Sequence, residues 1–174
     1  LIAPPEPLPV PHWYPDFLLH RAVPLGMAAW WLAFAPRPPA FRPFLLTAGQ
    51  GTLRIEGGQV TALGFARSDS FGGVAVLARG LFPPDHPPVI HDVTFTDTGL
   101  LFLAGSDGAR VTANRFLSPR TGGVTLSGTK GALVADNLIH ATQGTAALRL
   151  RDGATDTQVS GNLIVNSARS GILA

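Results

Sequence analysis

One order of apolar and polar positions recurs along the second half of the chain. Val111, Asn114 and Phe116, then Val134, Asn137 and Ile139, then Val159, Asn162 and Ile164 repeat apolar-x-x-Asn-x-apolar, with the asparagines 23 and 25 residues apart. A repeat of that length marks a solenoid, in which each winding buries its apolar face against the next. Weaker versions precede it, Ile90-x-x-Val93-x-Phe95 and Val60-x-x-Leu63-x-Phe65, separated by a Pro-rich stretch, Leu81 to Pro88, that reads as a loop. Neither has asparagine at the fourth position. A second series of alternating segments accompanies the first: Leu53-x-Ile55, Val74-x-Val76, Leu101-x-Leu103, Val124-x-Leu126, Leu148-x-Leu150 and finally Ile172.

Alternation over such short runs, bounded by glycine, predicts short strands, and no window after residue 48 sustains a helical period. The spacing predicts an all-β chain, a right-handed parallel β-helix (solenoid) of about five to six coils. The coils are assigned to 44–174, and 1–43 to a Pro-rich arm and an N-terminal cap or first half-coil. Asparagine is expected at corners because it tolerates positive φ and its amide can bond the equivalent amide one coil away. Nineteen of the 20 glycines follow residue 48, as tight corners require. A leucine-rich repeat has a similar period but wants a helical return, whereas the return here is rich in Gly and Thr. A β-sandwich would explain the strand spacing but not one recurring motif.

Composition narrows the function. Only 14% of residues are charged and the net charge is +2, so surface polarity comes largely from Ser, Thr and Asn. That charge is too small for nucleic acid, and the interleaving of aromatic and basic residues that single strands need is missing. A weakly positive face still suits an anionic polymer. The absence of cysteine excludes a disulfide framework. The first 43 residues hold 11 of the 16 prolines. Within them Ala22 to Ala35, containing Trp30 and Trp31, is apolar, but Pro24 interrupts it and its length falls short of the ~20 residues of a membrane span. It reads as a cap. Asp85-His86 and His91-Asp92 flank the Pro-rich loop without a second cluster to complete a cation site, and Gly128 to Gly131 is short of a phosphate loop. No metal and no cofactor are expected.

Several segments together resemble one family. Ala29-Trp30, Phe41 to Leu46, Gly51 to Ile55, Val60 to Phe65 and Ser70 to Gly72 look like the alginate (mannuronan) C5-epimerases of bacterial exopolysaccharide systems, and the likeness continues through the coils to about residue 152. The resemblance implies a periplasmic or secreted β-helix that binds an acidic polysaccharide, an alginate-like uronan, on one sheet. It also implies inversion at C5, which needs a base, a cation over the substrate carboxylate and an acid on the opposite face. The family carries its base in an Asp-Pro-His-Asp motif. In the matching strand here, Gly123 to Gly128, the four positions hold Thr125, Leu126, Ser127 and Gly128, so the motif is not found. The family's arginine, in a Ser-Arg-Glu context, is matched by Leu150-Arg151-Asp152.

Alternation places these residues. With Leu148 and Leu150 inward, Arg149 and Arg151 face outward on the sheet that carries Thr125 and Ser127, 24 residues or one coil earlier. Arg149, Arg151, Ser127 and Thr125 are therefore the candidate substrate-binding residues. Arg54 and Arg79 are expected to extend the same face, with Lys130 at a corner. No catalytic residue is assigned; His140 and Asp152 are the candidates. Three functions stay open: a binding protein whose epimerase activity is lost or altered, an active epimerase or β-eliminating lyase using other residues, and a structural module that pairs through open coil ends.

Overall fold

Residues one repeat apart lie side by side. The computed structural model describes residues 42–64, 69–78 and 86–174, and every regular element among them is a strand. The chain divides into two units, Leu1–Phe41 and Arg42–Ala174. The arm and cap expected for 1–43 lie, apart from Arg42 and Pro43, outside the described residues, as do Arg79 and most of the Leu81 to Pro88 loop.

After β1 (Leu45–Ala48) the strands come in threes. They are β2 (Arg54–Glu56), β3 (Gln59–Thr61) and β4 (Gly73–Leu77); β5 (Val89–His91), β6 (Thr94–Thr96) and β7 (Leu100–Ala104); β8 (Arg110–Thr112), β9 (Arg115–Leu117) and β10 (Val124–Ser127); β11 (Leu133–Ala135), β12 (Leu138–His140) and β13 (Ala146–Arg151); and β14 (Gln158–Ser160), β15 (Leu163–Val165) and β16 (Ser170–Leu173). They build three parallel sheets: β1-β4-β7-β10-β13-β16, β14-β11-β8-β5-β2 and β15-β12-β9-β6-β3. This is a parallel β-solenoid. Among the described residues, no helix is long and apolar enough to cross a membrane.

Inward residues stack in columns. Ile90, Val111 and Val134 fill the second wall, Phe95, Phe116 and Ile139 the third, and Leu101, Val124 and Leu148 the first, each no more than 2% exposed. The Phe95 and Phe116 rings lie parallel with centroids 4.8 Å apart, the spacing of neighbouring strands. Identical chemistry in adjacent coils therefore meets at contact distance.

The asparagines form the expected ladder. Asn137 Oδ1 accepts from both the backbone N and Nδ2 of Asn114, and Asn162 Oδ1 does the same for Asn137. Each Nδ2 also reaches a backbone carbonyl of the preceding coil: Asn114 to Ile90, Asn137 to Val111, Asn162 to Val134. The positive φ expected of asparagine belongs instead to the residue before it, Ala113, Asp136 and Gly161. Asn is thus placed for its amide and its neighbour makes the turn. Ala113, exposed at φ 56°, sits in a region that costs an L-residue roughly 1–2 kcal/mol, which glycine avoids at an entropic cost of about 0.5–1 kcal/mol. Ala113→Gly is expected to raise stability by about 0.5–1 kcal/mol, seen as a higher urea midpoint at unchanged slope.

The first coil departs from the sequence reading. Leu53-x-Ile55 does not belong to the first wall: Ile55 pairs with Ile90 in the second, and the first wall begins with Leu45 opposite Val74. Val60 pairs with Phe95 rather than with Ile90. The apolar residues from Val60 to Phe65 fit the repeat five positions out of register, because Gly57 and Gly58 make this corner and no asparagine marks it.

Candidate functional site

The first wall carries the candidate residues. Parallel pairing of β10 with β13 sets Thr125 opposite Arg149 and Ser127 opposite Arg151. Val124, Leu126 and Leu148 are fully buried in the core, so the alternate positions point outward as the sequence predicts. Continuing down the wall, Thr125 is followed by Phe102 and Ala75, and Ser127 by Ala104 and Leu77.

That outer face is not simply solvated. Ala75, Leu100, Phe102 and Ala104 form a second buried apolar cluster with Leu77 packed against it, and Ser127 is fully buried. The signal was present in Leu100 to Ala104, five apolar residues without alternation, which marks a strand buried on both faces.

Arg151 is held from several sides. Its Nη2 bonds Asp69 Oδ2, its Nε lies 3.2 Å from Asp152 Oδ2, and its Cζ stands 5.3 Å from the centroid of the Phe102 ring. Asp152 Oδ2 in turn accepts from Ser127 Oγ at 2.6 Å. Asp69 was not foreseen: it lies in an irregular segment ahead of β4, and its ion pair bridges 82 residues. Only the winding of the chain brings the two together.

Arg149 differs. It is half-buried, and among the described residues its guanidinium makes no hydrogen bond or ion pair. It lines a hollow of about 180 Å³ with Asp69, Leu100, Thr121, Thr125, Thr145 and Ala146. In that hollow Thr121 Oγ1 is buried and, among the described residues, without a hydrogen-bond partner. A second hollow of about 340 Å³ is lined by Asp69, Ser70, Leu77, Phe102, Arg151 and Asp152. Asp69 is common to both. The arrangement offers ionic and hydroxyl contacts to a polar ligand: one unpaired cation, threonine hydroxyls, and a carboxylate able to accept from ligand hydroxyls.

The other candidates lie elsewhere. His140 is on β12 in the third wall, its Nε2 3.4 Å from Asn166 Nδ2, and is not brought to this face. Arg54 belongs to the second wall, where its hydrogen bond to Glu56 and the charge of that carboxylate raise its pKa above the ordinary value, so it does not extend the site. Lys130 sits exposed at a corner bridged to Thr155. His91 contacts Thr112 Oγ1 at 2.9 Å in the second wall. Among the described residues no group of His, Cys, Asp or Glu could hold a metal ion.

No family model matches the chain, and neither does any curated protein or solved structure.

Proposed function

We propose that this chain is a carbohydrate-binding β-solenoid that takes an acidic polysaccharide, an alginate-like uronan, across the outer face of its first wall, without epimerase chemistry. The observation that carries the reading is Arg149: among the described residues its guanidinium has no partner, and it shares a hollow with the buried, unbonded hydroxyl of Thr121. A guanidinium open to an incoming anion meets a matching ligand in a uronate, which supplies a carboxylate for Arg149 and hydroxyls for the threonines. The resemblance to mannuronan C5-epimerases adds the polymer class and an extracytoplasmic setting. Loss of the chemistry is supported by Thr125, Leu126, Ser127 and Gly128 standing at the motif positions and by His140 lying on another wall.

Titration of the whole chain with polymannuronate at low salt tests this. Arg149→Ala is expected to weaken binding about 10- to 100-fold, the value of a hydrogen-bonded charge contact, and added salt is expected to weaken the wild type. Unchanged affinity in Arg149→Ala would remove the reading. In deuterated buffer the polymer is expected to show neither exchange at C5 nor the absorbance of an unsaturated product. Exchange would identify an epimerase, and absorbance a lyase.

A further inference from the structure

Asp69 places its own carboxylate where a ligand carboxylate would go. It lines both hollows, and its Oδ2 is the partner of Arg151 Nη2. Arg151 and Arg149 stand two residues apart on one strand, which sets their Cα atoms ~7 Å apart along the wall and points both side chains outward. Among the described residues one guanidinium is unpaired, and the other is ion-paired from within the chain.

We propose, resting on the polysaccharide reading above, that Arg151 is a second carboxylate-binding position whose resting occupant is Asp69, and that a ligand carrying two carboxylates spaced along the wall displaces Asp69 and joins the two hollows. Arg151 keeps its place in the exchange, because Phe102 lies beneath its guanidinium and Asp152 faces its Nε. The pair to be exchanged is part-buried, its side chains 26% and 40% exposed, so an incoming anion and water both reach it. Replacing one carboxylate by another leaves the number of ion pairs unchanged, so the exchange costs little for a ligand that matches the spacing and is not open to one that carries a single charge. Asp69 thereby becomes a residue that tunes specificity: it competes with the second carboxylate of a polyuronate for Arg151 and leaves an isolated uronate, which needs only Arg149, little affected.

The test compares polymannuronate with monomeric mannuronate on the wild type, Asp69→Asn, Asp69→Ser and Asp69→Asn with Arg151→Gln, each first shown by melting to be folded. Asp69→Asn is expected to tighten polymer binding about three- to tenfold and to steepen its salt dependence, with little gain for the monomer. Arg151→Gln in that background is expected to abolish the gain. Asp69→Ser repeats the test should the asparagine retain the contact to Arg151. A gain of equal size for the monomer, or one that survives Arg151→Gln, would show a general charge effect and overturn the inference. No gain in either Asp69 variant, while wild-type binding still depends on Arg149, would overturn it and leave the binding reading standing. If nothing binds and Arg149→Ala changes nothing, both fall together.

Discussion

Asn137→Ala is expected to remove about 2–6 kcal/mol of folding stability, a large part of the 5–15 kcal/mol that holds a typical domain. Asn137 is 1% exposed and sits mid-ladder. Its loss leaves the backbone N of Asn114 and the carbonyl of Val111 without their side-chain partners. Each buried group left unsatisfied costs about 1–3 kcal/mol. Asn162→Ala makes the comparison informative, because Asn162 is only partly buried and water can replace some of what is lost, for about 1–2 kcal/mol. Urea denaturation of the two variants reads the difference. Equal and small costs would mean that the ladder is an accompaniment to the apolar columns rather than a restraint on them.

Gly99→Ala is expected to be more damaging still, on the order of 4 kcal/mol or more, or no folded protein at all. A Cβ built on Gly99 falls within the carbonyl group of Gly72 in the coil below. That carbonyl cannot retreat freely, because it accepts from Leu100 N at 2.8 Å, and Gly99 N is itself tied to Leu63 O at 2.8 Å. Gly131→Ala is the control: another corner glycine, at φ 65° but with open space around its Cβ position, so that only backbone strain of roughly 1–2 kcal/mol is added. Expression and melting of the pair separate close approach of two backbones from the ordinary cost of a corner.

How far the sequence could be read follows from how each contact is encoded. Asn114, Asn137 and Asn162 state the register outright, because one residue type recurring once per coil pairs with its own kind, and the pairing of Thr125 with Arg149 and Ser127 with Arg151 follows from it by alternation. Where the ladder residue is missing the reading slipped, as at Val60, since apolar residues fit a short template in more than one register. The walls were harder to tell apart: Arg54 looked equivalent to Arg149 because alternation says which way a side chain points but not which of three sheets holds it. Asp69 was out of reach altogether. It belongs to no repeat, and its partner lies 82 residues away. The double-sided burial at Leu100 to Ala104 is legible as a run without polar interruption, although Leu101 and Leu103 by themselves also fit simple alternation.

The gradient of burial along the stack bears on how robust recognition is. Core residues of the middle coils are almost wholly enclosed, whereas Ile172, which stands opposite Leu148 in the first wall, is 52% exposed. In a quasi-one-dimensional lattice each winding is held only by its neighbours, so thermal opening begins where enclosure is thinnest and travels inward one layer at a time. Arg151 is held by Asp69 and against Phe102, whereas Arg149 stands opposite Leu173 of β16. Opening of the coil from β14 to β16 therefore takes Leu173 from beside Arg149 and leaves the contacts of Arg151 standing.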